Sequence, residues 1–378
     1  MKKICIVTTD VILAYQPTIL NLYDKLSEHF LVEIISFAPR YISKQKIDNR
    51  SVVYLSESSP LKWMNEGFNL FFESLHKLSG GAIGKKYINA FFAKKLIAKT
   101  LQRFLANYTA DEYIAVDFMA LYVFQQVKPA TQCHFLSLEI IENDPYRALC
   151  AIDKIRSVII QTSDRYEYLF GKNDKKIFYI QNAPASDSFY FDPVKTRSLL
   201  WAGSILIRFG VLHCIQFIEE TKDYQLTLKG GMHKKALAAI KKRYGSLLKT
   251  GRVQIDTDYL EAKDFIKYMS VFEVGICFYD IELTKHSFNY RTAPSGKLFA
   301  YYAAGVPVIA LDIPGLQSVA DFNAGILIKD YSFQSINDAL TTIKNNYSYY
   351  FEGCKKAAEH FAFDKNCQGF INFLLESN

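Results

Sequence analysis

The sequence predicts an α/β protein built from two doubly wound parallel-sheet domains with a cleft between them. Its 378 residues exceed what one core usually holds, since single hydrophobic cores stop growing beyond about 250–300 residues. Short apolar runs alternate with helical patterns, which is typical of parallel sheets. The alternation pauses once and begins again. Because such domains bind ligands outside the carboxyl ends of their strands, we expect the functional site at the cleft.

The first alternation covers residues 1–185. Its predicted strands are KICIVT, LVEIISF, YIAV, CHFLSL, SVIIQ and IFYI. Pro17 marks the first helix, because proline favours the first helical turn. Two prolines and many small or polar residues cluster between Asn182 and Ser198, and we place the inter-domain linker at 186–197.

The second alternation is assigned to residues 198–354. Its predicted strands are SLLWAG, QLTLKGG, VQI, VGICFY, PVIAL and GILI. A polar loop is predicted from Asp280 to Thr292 and a helix from about Ser295. A last helical stretch lies within 355–378.

Composition excludes several classes of protein. Half of the residues are hydrophobic, unlike the composition of disordered chains. The first apolar run breaks at Thr8, short of a signal-peptide core, and no window approaches the ~20 apolar residues of a membrane span. Seven scattered cysteines without a C-x-x-C pair indicate reduced core residues. We therefore expect a cytoplasmic protein.

The segment from Ala293 to Pro314, APSGKLFAYYAAGVPVIALDIP, has features of a phosphate-binding unit. Ser295, Gly296 and Lys297 stand at the predicted helix start, where backbone N–H groups, the positive helix end and an ammonium group favour a phosphate. Gly305 is placed to end the helix. Any capped β-α-β unit is the alternative.

This segment resembles the second domain of GT-B-fold glycosyltransferases, especially family 4 and related bacterial polysaccharide and lipid-linked glycan enzymes, in which P-S-x-K-L-x-E-Y-x-A-A-G-x-P-V-I recurs. SLLWAGSILIRFG, QLTLKGG and the QNAP of Gln181–Pro184 match in pattern, so the resemblance covers roughly Phe135 to Leu340. It implies two Rossmann-like domains facing each other across a cleft, and a final helix that crosses back to the first domain. It further implies a nucleotide-sugar donor, UDP-linked by family frequency, and no metal cofactor.

On this resemblance we expect the donor and nucleotide site at nine residues: Gly203, Ser204, Arg208, Lys229, Tyr279, Tyr290, Ser295, Gly296 and Lys297. Solvated surface charge is the alternative for Arg208 and Lys229. Ala300 stands where many members carry a glutamate that holds the ribose or donor sugar, and the family's Arg and Lys fall at Ser204 and Phe209. These departures leave open a catalytically degenerate partner subunit, and a sugar-nucleotide epimerase of the same architecture is a further alternative.

Carboxylates after strands of the first domain are the catalytic candidates. Glu139 resembles the S-x-E carboxylate of relatives, as a base or an acceptor ligand; a helix-start carboxylate is the alternative. Asp117 and Asp10 follow two other strands, although aspartate is also a frequent N-cap. The D-x-D of Asp256–Asp258 is interpreted as a turn and helix cap rather than a metal site.

A basic stretch runs from Lys85 to Arg103. Lys95, Lys99 and Arg103 are spaced as one helical stripe, and an apolar face is predicted from Ile88, Phe92, Leu101, Phe104 and Leu105. The hypothesis is peripheral docking on an anionic membrane that carries a lipid-linked acceptor; an ordinary solvated face is the alternative. Without a recognised binding module, nucleic acid is not an expected partner.

Overall fold

The computed structural model describes residues 1–9, 13, 16–37, 49–55, 85–192, 195, 197–232 and 234–376, with the backbone alone for 85–94, 208 and 283. The chain divides into two compact units. The first comprises Met1–Leu138, Asn143–Ile159 and Lys172–Ile177; the second comprises Glu139–Glu142, Ile160–Gly171 and Phe178–Asn378.

The first sheet has seven strands in the order β3-β2-β1-β4-β5-β6-β7. They are β1 (Lys3–Val7), β2 (Leu31–Phe37), β3 (Val52–Leu55), β4 (Glu112–Val116), β5 (Cys133–Leu136), β6 (Ile155–Ile160) and β7 (Lys176–Tyr179). Strands β1 to β6 pair in parallel. All five residues of β4 are buried, as expected for a central strand covered on both faces.

The helices of this unit within the described residues are α1 (Pro17–Ser27), α2 (Lys85–Ala106) and α3 (Asp117–Val127). Helix α1 begins at Pro17, as predicted, and buries Ile19, Leu22 and Leu26. The buried side of α2 includes Leu101 and Leu105.

The second sheet has six parallel strands in the order β10-β9-β8-β11-β12-β13. They are β8 (Arg197–Ala202), β9 (Leu226–Lys229), β10 (Val253–Asp256), β11 (Phe272–Cys277), β12 (Val308–Leu311) and β13 (Gly325–Ile328). The strand order switches at β8 and β11, so ligands are expected near the carboxyl ends of these two strands.

The helices of the second unit are α4 (Ser163–Phe170), α5 (Val211–Glu220), α6 (Lys234–Lys249), α7 (Ala262–Met269), α8 (Ile281–His286), α9 (Phe288–Thr292), α10 (Gly296–Ala303), α11 (Ser318–Asp321), α12 (Phe333–Asn345), α13 (Tyr347–Phe361) and α14 (Phe363–Glu376). Two hydrophobic clusters form its core. Alternate residues of β8 divide between them, with Leu200 and Ala202 in one and Leu199 and Trp201 in the other, because successive strand residues point to opposite faces.

The two parallel α/β domains confirm the predicted fold class. Three local details differ. The stretch from Asp280 to Thr292 is the helix pair α8 and α9 rather than a loop, with the Ser287 side chain capping α9 by accepting the Tyr290 N–H. Strand β3 was not predicted. The last helical stretch is two helices separated at Ala362, and its crossing back to the first domain stays a prediction.

The seven cysteines are free and six of them are buried, with Cys150 half-buried. This burial agrees with the expected core positions, and the reduced state stays a prediction. Within the described residues, no helix combines the length and apolar character that crossing a bilayer needs.

Candidate functional site

Helix α10 is held against the central strands β8 and β11 by Tyr301. Its Tyr301 hydroxyl donates to the Leu200 carbonyl at 2.7 Å and accepts the Ala202 N–H at 2.9 Å. A Cβ on Gly275 of β11 would lie 2.5 Å from the Tyr301 ring. Close approach at this glycine therefore lets the buried tyrosine hold α10 on β8 and β11.

The first turn of α10 presents unused donors. Ser295 is the N-cap residue, but its side chain makes no capping hydrogen bond. Among the described residues, the backbone N–H groups of Gly296 and Lys297 have no backbone acceptor outside the helix, and the helix itself offers none to its first turn. This end of α10 can receive an anion.

Lys297 adds a positive charge beside these donors. Its Nζ lies 4.4 Å from the Trp201 ring centroid and 5.3 Å from that of Tyr279, an arrangement that favours a cation through the ring faces. No carboxylate of the described residues lies within ion-pair distance of it. Burial lowers the pKa of the Lys297 ammonium. A desolvated cation of this kind is stabilised when an anion binds.

Two glycine turns border Lys297. Gly203 follows β8 with φ +98°, and a Cβ there would lie 4.0 Å from Lys297 Cδ. Gly230 follows β9 with φ +139°, and a Cβ there would lie 2.1 Å from the Gly203 carbonyl oxygen. Both φ values favour glycine. The structure thus brings the predicted residues Gly203, Gly296 and Lys297 together.

Asn182, from the QNAP motif, packs on the same helix start. A Cβ on Gly296 would lie 2.7 Å from Asn182 Nδ2, so glycine is needed for this approach. The Asn182 Oδ1 atom is buried and has no hydrogen-bond partner among the described residues. It is an unused acceptor next to the donors of α10.

Lys229 is buried and its ammonium is paired within the protein. The residue is 2% exposed, and its Nζ donates to Asp256 Oδ1 at 2.6 Å and to the Asp258 carbonyl at 2.7 Å. This burial contradicts the alternative interpretation of Lys229 as a solvated surface charge. Its ammonium is already paired, so any phosphate reaching it competes with Asp256, and phosphate binding stays a prediction.

The first aspartate of the D-x-D sequence, Asp256, is the partner of Lys229 in this ion pair. Asp256 Oδ1 also accepts the Asp258 N–H at 3.1 Å, a turn of the predicted kind. Partial burial opposes ionisation of Asp256, but hydrogen bonds from Lys229 and from the Asp258 N–H outweigh it and lower the pKa. No group of three or more His, Cys, Asp or Glu side chains in the described part of the chain could hold a metal ion.

Three aromatic rings line the neighbouring surface. The Phe209 centroid lies 5.8 Å from that of Tyr279 and 6.3 Å from that of Tyr290. Burial raises the pKa of Tyr279, and Ser295 lies within hydrogen-bonding reach of this phenol. Ser204 is exposed in the turn after β8. The Arg208 side chain lies outside the described residues.

Glu139 reaches this region through α9. Its Oε2 accepts a hydrogen bond from Asn289 Nδ2 at 2.7 Å. The negative charge of Glu139 adds to the effect of burial in raising the pKa of Tyr279. The Ile140 N–H donates to Asn289 Oδ1 at 3.1 Å, and Glu142 accepts the Ser287 hydroxyl at 2.8 Å. Residues 139–142 therefore belong structurally to the second unit.

Asp117 lies in the first unit, at the junction of β4 and α3. Its Oδ1 accepts the Leu138 N–H at 2.9 Å, and its φ is +58°, a left-handed conformation that costs a non-glycine residue about 1 kcal/mol or more. Val116, not Asp117, is the N-cap of α3. A catalytic role for Asp117 stays a prediction, and Asp10 lies outside the described residues.

The basic stripe is exposed, but its apolar side is not. Lys95, Lys99 and Arg103 are exposed on α2, whereas Leu101 and Leu105 are fully buried in the first unit. These leucines therefore pack in the first unit rather than facing a membrane, and docking through the basic stripe stays a prediction. The side chains of Ile88 and Phe92 lie outside the described residues.

Comparison with known proteins identifies the fold. No protein-family model and no curated protein matches the sequence. Solved structures match along the chain. Sucrose-phosphate synthase (tll1590) from Thermosynechococcus elongatus has a TM-score of 0.67 at 13% identity, with 100% of both chains covered. Anabaena Alr3699/HepE in complex with UDP has a TM-score of 0.68 at 11% identity, with 100% of both chains covered.

WaaG, a glycosyltransferase involved in lipopolysaccharide biosynthesis, matches with a TM-score of 0.62 at 10% identity, over 97% of this chain and 99% of that chain. At such identities the likeness concerns the fold. The protein thus has the two Rossmann-like domains of GT-B glycosyltransferase structures. Membership of family 4 stays a prediction.

Proposed function

We propose that this protein is a metal-independent glycosyltransferase that moves a sugar from a nucleotide-diphosphate donor, UDP-linked, to a surface-glycan or lipid-linked oligosaccharide acceptor. It acts in the cytoplasm, at the inner membrane surface. The observation that carries the proposal is the Lys297 ammonium at the start of α10, lying among aromatic rings without a carboxylate partner in the described part of the chain.

The chemistry of sugar transfer requires what this site offers. The anomeric carbon loses its bond to the diphosphate oxygen and gains one to the acceptor oxygen, so negative charge grows on the leaving diphosphate. The N–H groups of Gly296 and Lys297, together with the Lys297 ammonium, stabilise that charge. An anion bound beside Lys297 compensates for the loss of water around its ammonium group. The site therefore favours binding of the diphosphate and also cleavage of the bond between the diphosphate and the sugar.

Glu139 is proposed to act on the acceptor. If the anomeric centre inverts, its carboxylate takes the proton of the acceptor hydroxyl as the new bond forms. If the centre is retained, it holds the acceptor. Its hydrogen bond from Asn289 and its proximity to Tyr279 support either role.

The aromatic rings offer a surface for the sugar or the base. Ala300 is partly buried against the core and provides no carboxylate, so contacts to the ribose or the sugar come from other groups. Phe209, Tyr279 and Tyr290 can stack against the apolar face of a ring. We propose that they bind the donor together with Gly203 and Ser295.

Calorimetry with UDP, GDP and CMP tests the donor site. We expect the parent protein to bind UDP, and Lys297→Ala to weaken UDP binding about 10–100-fold, because hydrogen bonds to charged groups contribute about 1.5–3 kcal/mol. Uridine binding should change little. Lys222→Ala, a change of an exposed lysine, is the matched control. If Lys297→Ala binds UDP as the parent does, the diphosphate site is misplaced.

A donor screen with product analysis tests the reaction. The expected result is acceptor-dependent transfer of one sugar. Binding of none of the sugar nucleotides would instead indicate a catalytically degenerate partner subunit. Epimerised or hydrolysed nucleotide sugar formed without an acceptor would indicate an epimerase.

A further inference from the structure

A buried arginine lies behind the candidate acceptor residue. Arg165 of α4 is 0% exposed. Its Nε donates to Gln161 Oε1 at 2.9 Å, and its Nη1 donates to Asn289 Oδ1 at 3.0 Å. Burial of a guanidinium is tolerated when its N–H groups are hydrogen-bonded, and its planar fork then holds its acceptors in one geometry. Arg165 therefore fixes the amide of Asn289.

The orientation of that amide follows from its partners. Asn289 Oδ1 accepts from Arg165 and also from the Ile140 N–H at 3.1 Å. A flipped amide would set its NH₂ group against two donors, so the carbonyl must face them. The NH₂ group is left to face Glu139, and Nδ2 donates to Glu139 Oε2 at 2.7 Å.

The elements on either side of this amide are also held. The rings of Tyr168 on α4 and Phe288 on α9 stack with centroids 4.0 Å apart and planes 14° apart. Glu142 accepts from the Ser287 hydroxyl at 2.8 Å. The helices that carry Arg165 and Asn289, and the segment that carries Glu139, are thus joined within one unit.

The set of contacts runs from the interior to the surface. Arg165 is buried, Asn289 is half-buried and Glu139 is exposed. Ordering an exposed glutamate costs side-chain entropy, and exposed polar pairs return little stability. A buried arginine that orients an exposed carboxylate near Tyr279 is therefore better explained by what the carboxylate does than by folding.

We infer that Arg165 and Asn289 are positioning residues, which act through Glu139 by holding its carboxylate at the candidate acceptor site. This inference rests on the proposed glycosyl transfer. Asn289 supplies the hydrogen bond, and Arg165 keeps the amide turned so that the bond is available.

Side-chain amide NMR tests the contact without any need for activity. In protein labelled with ¹⁵N-asparagine, the Asn289 NH₂ signals are assigned by their absence from Asn289→Asp. We expect Glu139→Gln and Arg165→Lys each to move these signals. Asn345→Asp, a change of an exposed asparagine, should leave them in place. Unmoved signals in both Glu139→Gln and Arg165→Lys would overturn the inference.

Kinetics test whether the contact positions Glu139 for turnover. Asn289→Asp replaces the NH₂ group that faces Glu139 with a carboxylate. We expect a 10–100-fold lower kcat, with the KM for the sugar nucleotide changed by no more than about twofold. In a Glu139→Gln background the same change should cost less than about threefold, because residues that act through one group are not additive. Asn345→Asp should keep the parent kcat.

The outcomes separate the inference from the proposed function. If the parent turns over and the losses of kcat in Asn289→Asp and Glu139→Gln multiply in the double variant, the positioning role alone is overturned. No turnover in the parent with any sugar nucleotide would overturn the glycosyltransferase, while the NMR signals would still decide whether Arg165 and Asn289 hold the carboxylate. A lower urea midpoint for Asn289→Asp with unchanged kcat would show a role in folding only and would also overturn positioning.

Discussion

Replacing Asp256 with alanine removes the carboxylate that faces the Lys229 ammonium at 2.6 Å. Lys229 is 2% exposed, so its charge would be left in the interior. Breaking a buried ion pair from one side costs about 3–5 kcal/mol. Lys229 keeps the Asp258 carbonyl at 2.7 Å and the Tyr268 ring at 5.0 Å, so we expect the low end, about 3 kcal/mol.

Urea unfolding followed by tryptophan fluorescence measures this loss. The sequence contains two tryptophans, and in a Trp63→Phe background Trp201 reports alone. Trp201 of β8 stands opposite Leu228 of β9, the residue before Lys229. With an m-value of about 3 kcal/mol/M, the midpoint should fall by about 1 M.

Two companion measurements define the origin of the loss. A Lys229→Met change added to Asp256→Ala should recover part of the stability, since no buried charge remains.

The folded-state pKa of Asp256 is lowered. The contribution of Asp256 to the free energy of unfolding is therefore present above the ordinary carboxyl pKa of about 3.9 and is lost as pH falls through the lowered value. The difference between parent and Asp256→Ala should therefore be full at pH 7 and shrink below about pH 4.

One result would refute this reasoning. If Asp256→Ala left the urea midpoint unchanged while Lys229→Met alone weakened UDP binding about tenfold, Lys229 would be a ligand residue rather than a partner in a structural ion pair.

Three further outcomes are expected. Activity should survive EDTA, whereas complete loss restored by a divalent cation would contradict metal independence. The triple change of Lys95, Lys99 and Arg103 to Glu should reduce sedimentation with anionic liposomes, each cation contributing about 1 kcal/mol; equal sedimentation would end the docking hypothesis. Gly230→Ala should lower stability by about 3 kcal/mol because φ is +139° and a Cβ would meet the Gly203 carbonyl. Gly231→Ala, where nothing lies within 4 Å, is its control, and equal unfolding midpoints would contradict the argument.

Much of the fold could be predicted because its signals are local. Buried parallel strands are continuous apolar runs, and all six predicted in the second unit are present as β8 to β13. Pro17 and Gly305 mark helix ends through their own backbone preferences, with φ +62° at Gly305. The segment Asp280–Thr292 was missed because α8 and α9 are only six and five residues long, too short for a helical period to be visible.

The candidate site was predictable where one short segment builds it. Ser295, Gly296 and Lys297 are consecutive, so the helix start and its ammonium could be found together. The partners of Lys229 and Glu139 could not, because Asp256 lies 27 positions and Asn289 lies 150 positions away in the chain. Hydrophobic periodicity carries no information about such pairs.

The sequence by itself determined the α/β alternation, the two domains and the helix start at Ser295, since each depends on residues close together in the chain. The tertiary structure alone decided that Lys297 lies over Trp201 without a carboxylate partner among the described residues, while Lys229 is paired with Asp256. The two lysines look equivalent as sequence. Their ammonium groups have different environments in the fold. Desolvation and pairing depend on which distant side chains the fold brings within a few ångströms.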